Sequence, residues 1–368
     1  MSLSGEAKTA KFASELTQQL VTHSNIHGGV AALLVAPPGA GKTTFLLRIA
    51  KEVGYIDTDG KRRWETVIWR GREFDYFSVI NKKALVIHMH KPDYDAGFKV
   101  SYENGKPYDM TGIEIRVYKS IPHLNQNIVK QKINWVYPPN TYHVSKELKK
   151  ILNKGGMKDE DIGTEELTDN TLWWFELWYY LSKYKRMQFL SIFFDEAQQL
   201  MGRSAQGLKW HVNQYLFKYL FADARKRKIS IFMACHGITE LDGPIRVNKI
   251  GWKVYMKGAR VEKDSEIWRS ATRLELHKKG DYFIEGDIGW GKGHVHKMDI
   301  ETLLVEFNKP EEKDEIYGGN TEEFNDEPGK AEMYKDVEEF NRIEEKVDTP
   351  IFDFTPDEPE FDESLFED

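Results

Sequence analysis

The run Ala36-Pro37-Pro38-Gly39-Ala40-Gly41-Lys42-Thr43 decides how this chain is read. It fits a phosphate-binding P-loop at every position but the first, where alanine stands for the usual glycine. Val30 to Val35 reads as a short buried strand before it, and Thr43 to Ala50 as a helix after it. In that setting a loop aims backbone N–H groups at a polyphosphate from a helix N-terminus. Gly39 and Gly41 permit the tight backbone. Lys42 would neutralise the β and γ phosphates, and the Thr43 hydroxyl would ligate magnesium, with Thr44 as a second candidate. The expected ligands are ATP or GTP with Mg2+.

A second element lies 152 positions beyond Thr43. Phe189-Leu-Ser-Ile-Phe-Phe-Asp195-Glu196 is an apolar strand ending in two carboxylates, the pattern of a Walker B element. Asp195 at the strand's C-terminal edge would hold magnesium through its water shell. Glu196, pointing to the nucleotide, would orient or deprotonate the attacking water. A second carboxylate there favours hydrolysis over mere binding. The next strand, Ile229 to Cys235, ends at His236, which is either a sensor of the γ-phosphate or a turn histidine. Upstream, Ala224-Arg225-Lys226-Arg227-Lys228 closes a helix where cations suit the dipole end. Arg225 or Arg227 is also a candidate arginine finger toward a neighbouring subunit's nucleotide.

Composition restricts the class. At 368 residues and 40% hydrophobic content the chain can bury a full core in one large domain or two. No apolar stretch approaches the roughly eighteen residues of a membrane span, and the first residues carry no apolar signal core. Cys235 is the only cysteine, so an intrachain disulfide and a cysteine metal cluster are both excluded, in keeping with an intracellular, cytoplasmic setting of cellular, viral or plasmid origin. Residues 310–368 hold 23 acidic and 5 basic side chains, and the remaining body 36 acidic and 47 basic. The body is therefore basic by 11 charges, consistent with a nucleic-acid backbone as partner and equally with an ordinary lysine-rich surface. The acidic tail is expected to be disordered when free. Phe352, Phe354, Phe361, Leu365 and Phe366 make it either a docking peptide for a protein partner or a solubilising extension.

The remaining periodicity sketches an α/β domain over 1–309. Residues 7–24 suggest an amphipathic helix with Phe12, Leu16, Leu20 and Val21 on one face. Strands are expected at Thr66–Arg70, Ala84–Met89, Glu114–Tyr118 and Ile133–Tyr137, with a β-rich and helical insertion over about 91–168 that includes a short basic helix, Lys146–Asn153. A polar linker, Lys154 to Asp169, precedes a helix that runs to Lys185 and carries Trp173, Trp174 and Trp178. Its aromatic density reads as core packing rather than base stacking. A helix over Gln206–Lys228 and strands at Gly251–Lys257, Thr272–His277, Tyr282–Glu285 and His294–Lys297 complete the expectation.

The order of P-loop, Ile-Phe-Phe-Asp-Glu-Ala, Ala-Arg-Lys-Arg-Lys-Ile-Ser-Ile-Phe-Met-Ala-Cys-His and Leu241-Asp-Gly-Pro-Ile-Arg-Val-Asn248 resembles the HerA/FtsK group of DNA-pumping ATPases, which includes conjugation and viral genome-packaging motors. The resemblance covers Gly29 to Ala50 and about Gln188 to Lys297; the sensor position, commonly glutamine in that group, is His236. It implies a RecA-like, mainly parallel sheet flanked by helices, and a homo-oligomeric ring, commonly a hexamer, with ATP between subunits and double-stranded DNA in a basic channel. Hydrolysis at Glu196 would be completed by a neighbour's arginine, and Arg246, Lys249 and Lys253 would serve the interface or the channel. The P-loop and Asp195-Glu196-Ala-Gln-Gln-Leu also resemble AAA+ regulators of transposition or replication. Such a protein should carry a helical lid after the sensor strand, where this sequence reads as further strands. An ATP-dependent assembly switch and a small-molecule kinase are less expected, given Glu196 and its distance from the loop.

Overall fold

The computed structural model describes residues 16–23, 29–57, 59–140, 142, 144–154, 169–183, 189–202, 221, 224, 226–241, 250–261, 268, 278–286 and 289–308. In chain order the strands are β1 Thr22–His23, β2 Ala31–Val35, β3 Gly54–Ile56, β4 Arg62–Trp64, β5 Thr66–Arg70, β6 Phe74–Asp75, β7 Leu85–His90, β8 Phe98–Tyr102, β9 Glu114–Tyr118, β10 Ile133–Val136, β11 Leu190–Phe194, β12 Ile229–Cys235, β13 Trp252–Met256, β14 Asp281–Gly286, β15 Gly289–His294 and β16 Leu303–Phe307. The helices are α1 Lys42–Glu52, α2 Lys91–Ala96, α3 Ile121–Asn127, α4 Lys146–Lys154, α5 Asp169–Lys183 and α6 Gln198–Met201, with residues 16–21 also helical. By its contacts the chain divides into 1–311 and 312–368, and the second unit lies outside the described residues. So do Phe12, Arg225, Arg246, Lys249, the strand expected at Thr272–His277, most of the helix expected at Gln206–Lys228 and most of the linker before α5.

Ten strands make one sheet, in the order β15-β14-β13-β2-β12-β11-β5-β10-β7-β9. From β13 to β9 every neighbouring pair is parallel; β13–β14 and β14–β15 are antiparallel. The protein is thus α/β with a mainly parallel sheet. Strands of such a sheet are covered on both faces, which is why β2 reads as an unbroken apolar run and β11 and β12 are apolar but for Ser191 and Ser230. Successive side chains take opposite faces. On β11, Leu190, Ile192 and Phe194 join a core with α5, while Phe193 joins a second core with Phe45 and Leu46 of α1. Trp173, Trp174 and Trp178 of α5 are all buried, and Trp178 stacks on Phe194 with ring centres 5.4 Å apart. Each ring removes roughly 200 Å² from water, about 5 kcal/mol before entropic losses, so these aromatics hold the helix to the sheet and are closed to bases.

β9 and β10, from the stretch read as an insertion, lie in the main sheet, β10 between β5 and β7 and β9 at the edge. One strand sits earlier than the sequence pattern suggests. β15 ends at His294 instead of beginning there, because it is built on Gly289, Gly291 and Gly293, which give no apolar alternation. The glycine is needed for packing: a Cβ on Gly293 would lie 2.5 Å from the Tyr282 ring. Beyond β15 the chain crosses residues 295–302 and returns as β16, which pairs antiparallel with β6 and β8 in a separate three-stranded sheet.

A buried polar cluster occupies the N-terminal edge of the central strands. His23 Nδ1 lies 2.5 Å from Glu65 Oε1 and 3.0 Å from Ser230 Oγ, its Nε2 is 3.1 Å from the Leu20 carbonyl, and the Ser191 hydroxyl donates to Glu65 Oε2. Among the described residues no helix is long and apolar enough to cross a membrane.

Candidate nucleotide site

The P-loop connects β2 to α1. Gly39 and Gly41 have φ of 78° and 107°, in the left-handed region that glycine enters without strain. Ala36 is not among the positive-φ residues, so its departure from the usual glycine costs nothing in backbone geometry. Its N–H donates to the Cys235 carbonyl at 3.2 Å, tying the loop's entrance to the end of β12. No acidic residue stands in the first turn of α1, which leaves the helix's positive end open to an anion. Lys42 Nζ donates to the Ala36 and Pro37 carbonyls at 2.7 and 3.2 Å, folded onto the loop's own backbone. Burial lowers its pKa, and the nearby Asp195 opposes the shift.

The parallel pairs β2–β12 and β12–β11 carry the ends of all three strands to one edge. There the Thr43 hydroxyl donates to Asp195 Oδ2 at 2.7 Å, joining the two motifs that the sequence separates by 152 positions. Asp195 Oδ1 accepts the Glu196 N–H at 3.0 Å. Glu196 has φ 54°, a left-handed backbone unusual for a side chain with a Cβ. It is half-exposed, and its carboxylate meets Arg72 Nη1 at 2.6 Å and Gln199 Nε2 at 2.6 Å. His236 Nε2 is 3.9 Å from Glu196 Oε1, so the end of β12 does face the acidic pair, and His236 Nδ1 is buried without a hydrogen-bond partner. Arg227 sits before β12, at the opposite edge of the sheet, about 20 Å along the strand from this chain's own site by strand rise.

Arg70, Arg72, Gln199 and Tyr76 are members of the site that the sequence does not reveal. Arg70 ends β5, and Arg72 follows it by two residues; only the adjacency of β5 and β11 brings them to Asp195. Arg70 donates from Nη2 to Gln199 Oε1 at 3.1 Å, while its Nε and Nη1 are buried without hydrogen-bond partners. Burial, and then the neighbouring Arg72, bring its pKa down to about 10. Under Arg72, the Asp75 carboxylate accepts from the Arg72 N–H, Trp135 Nε1 and the Tyr137 hydroxyl at 3.0, 2.9 and 2.5 Å, and burial raises its pKa to about 6.

Over the loop lies a cavity of about 730 Å³. It is lined by Gly39 to Thr44, by Tyr76, Lys279 and Gly280, and by residues 295–302. Its size suits a nucleotide-scale ligand. Lys42, Thr43 and Thr44 line it directly. Among the described residues no cluster of three or more His, Cys, Asp and Glu is placed to bind a metal. The Thr43–Asp195 pair is instead a small set of hard oxygen ligands, the kind magnesium takes when phosphates complete its shell.

A strand–glycine loop–helix unit, an acidic strand end hydrogen-bonded to the loop's threonine and a parallel sheet define the P-loop NTPase fold class. No family model and no curated protein matches the chain. Among solved structures it is similar to the genome-packaging NTPase B204 from Sulfolobus turreted icosahedral virus 2 in complex with AMPPCP, at 11% identity over 74% of this chain and 99% of that one, TM-score 0.37. It is similar also to the pCW3 conjugation coupling protein TcpA, at 11% identity over 73% of this chain and 61% of that one, TM-score 0.32. The N-terminal domain of zonular occludens toxin from Neisseria meningitidis matches at 12% identity over 78% and 96%, TM-score 0.25. With TM-scores below 0.5 these likenesses are loose, and the fold class stands on the strand order and the site.

Proposed function

We propose that the protein is an oligomeric ATPase that works on double-stranded DNA, in translocation, genome packaging or conjugative transfer. The observation that carries the ATPase reading is the 2.7 Å bond between Thr43 and Asp195, with Glu196 next in the chain. The loop N–H groups and the N-terminus of α1 would receive the β and γ phosphates, with Lys42 turning from its carbonyl partners to the phosphate oxygens. Thr43 and Asp195 would hold magnesium, which when bound neutralises charge on those oxygens. Glu196 would accept a hydrogen bond from the attacking water and then its proton, with the γ-phosphate as electrophile and ADP leaving.

The DNA-motor part is supported by the resemblance of the motif order to the HerA/FtsK group, by the basic body, and by β13, β14 and β15 following His236 where an AAA+ protein would place a helical lid. In that reading the chains form a ring, commonly a hexamer, His236 senses the γ-phosphate, and Arg225 or Arg227 reaches a neighbour's nucleotide. The edge of the sheet opposite the P-loop is where Arg227 lies, which suits an arginine acting on another copy. The test is ATP turnover with and without duplex DNA, together with mass in solution. DNA stimulation of an oligomer is expected; a monomer indifferent to DNA would sink the motor, and a chain that does not turn over ATP would sink the enzyme.

A further inference from the structure

The chain that joins α1 to β5 makes a hairpin at the N-terminal edge of the main sheet. β3 and β4 pair antiparallel, Gly54 opposite Trp64 and Ile56 opposite Arg62, and β4 is the outer strand of its three-stranded sheet. The hairpin is firmly seated. Tyr55 stacks on Phe189 with ring centres 3.8 Å apart, and the Glu65 N–H donates to the Val53 carbonyl at 3.2 Å just before β5 begins. Alternation along β4 puts Arg63 on one face and Arg62 with Trp64 on the other. Arg63 takes both nearby acids, Asp57 at 3.2 Å and Asp59 at 3.0 Å. The opposite face keeps its charge.

On that face the Arg62 guanidinium lies 5.5 Å from the centre of the Trp64 ring and donates to the Glu52 carbonyl, a partner that does not neutralise it. Trp64 is 52% exposed, a large ring left in water. Lys61 is 75% exposed, and its nearest acid is Asp59 at 3.8 Å, the carboxylate already held by Arg63. Lys130 is exposed as well, and among the described residues no acid pairs with it. It lies beside the hairpin's end, since the next N–H, that of Gln131, donates to Thr66 Oγ1 at 3.1 Å where β5 starts.

Resting on the reading of the protein as a DNA motor, we propose that this face of the hairpin, with Lys130, is a seat for the backbone of duplex DNA. Lys61, Arg62 and Lys130 would each meet a phosphate, and the Trp64 ring would pack against a deoxyribose. Such contacts hold the duplex without reading its sequence. The balance of groups favours a duplex over a single strand: cations outnumber exposed rings here, whereas a single-strand track presents ring after ring to successive bases. The acidic pair Asp195-Glu196 stands at the far edge of the sheet, so the nucleotide and the DNA are kept apart. β5 joins the two places, starting two residues after Trp64 and ending at Arg70. Arg227, before β12 and two strands further along the edge, is no part of the seat.

The experiment measures binding of a labelled duplex of arbitrary sequence to the full chain across a salt series, with thermal midpoint and DNA-free ATP turnover on the same samples. Lys61→Glu/Arg62→Glu/Lys130→Glu is expected to bind about a hundredfold more weakly and to flatten the slope of log affinity against log salt by about three, one for each lost phosphate contact. Midpoint and DNA-free turnover should be unchanged. A charge-matched control, Lys91→Glu/Lys99→Glu/Lys119→Glu, changes exposed lysines on β8 and beyond the C-terminal ends of β7 and β9, and should lose far less. Trp64→Ala should weaken the duplex several-fold and leave the slope alone. Equal losses in the two triple variants, or a loss in the first with an unaltered slope, would overturn the seat while leaving a DNA-binding ATPase. Single-stranded DNA of the same length that bound more tightly than the duplex, and through Trp64, would overturn it too. Should the first triple variant fail to fold, Lys61→Glu alone must flatten the slope by about one. A wild-type chain that binds no DNA overturns both this inference and the motor.

Discussion

The two edges of the central sheet are built from the same strands and differ in how their polar groups are treated. β11 carries Ser191 near one end, and Asp195 follows its other end; β5 begins next to Glu65 and ends in Arg70. At the N-terminal edge His23, Glu65, Ser191 and Ser230 are at most 3% exposed and pair with one another, although Glu65 Oε1 meets only the His23 ring and makes no hydrogen bond. At the C-terminal edge Arg70 and His236 keep buried nitrogens without hydrogen-bond partners, Glu196 is left-handed, and Lys42 rests on its own loop's carbonyls. A buried network whose members meet one another holds one geometry. Unsatisfied donors and a strained backbone cost stability and gain only when something arrives, so the contrast marks which edge is meant to change.

The comparison can be broken by variants whose effects should separate cleanly between stability and activity. The largest effect is expected for Glu196→Gln: turnover of ATP should fall by about a hundredfold or more, with the thermal midpoint unmoved. A loss of stability comparable to a core lesion would place Glu196 in the structural edge instead. Next, Glu65→Ala should cost about 3 kcal/mol in urea unfolding, because it strands His23 in the interior, while nucleotide affinity measured on the folded protein holds. Nucleotide affinity that fell in step would mean the two edges are coupled.

Asp75 provides an intermediate test. Its folded pKa is raised to about 6 from 3.8, so the native state holds its proton more tightly than the unfolded chain does. Its contribution is complete below about pH 4 and is lost as pH rises through about 6, an effect of roughly 2 to 3 kcal/mol. Urea midpoints should show this component declining between those pH values in the wild type and absent in Asp75→Asn; identical profiles would refute the burial of a charge beneath Arg72. The smallest effect is the backbone's. Glu196→Gly should be more stable than Glu196→Ala by about 1 kcal/mol, since both lose the side chain and only glycine relaxes the positive φ. Equal midpoints would remove the strain from the account.

Much of this was legible in the residues. The P-loop and β11 announce themselves because each needs a local signal, glycines at a tight turn and an apolar run ending in acid. β9 and β12 match their sequence patterns residue for residue, β12 as a fully buried and almost wholly apolar strand, and β9, at the sheet edge, through Ile115 and Val117 alternating with Glu114 and Arg116. Strand order is another matter: nothing near Arg70-Gly71-Arg72 says that β5 lies beside β11, so the arginines around Glu196 were invisible. β15 was hidden by its glycines, of which Gly293 admits the ring of Tyr282. The crossing segment 295–302 gave no clear pattern; its place is fixed by the Val295 N–H on the Gly280 carbonyl, by Arg48 and Ser78 on the His296 and Glu301 carbonyls, and by β16 pairing with β6 and β8.

That pairing has a bearing on how the protein is made. Part of the cavity's lining, Gly39 to Thr44, is encoded early in the chain and part, residues 295–302, late, so a nascent polypeptide presents the loop without its later neighbours through most of its synthesis. Only when residues 295–302 have emerged is the lining of the cavity complete. The lining of the cavity is thus complete only once nearly all of residues 1–311 exist.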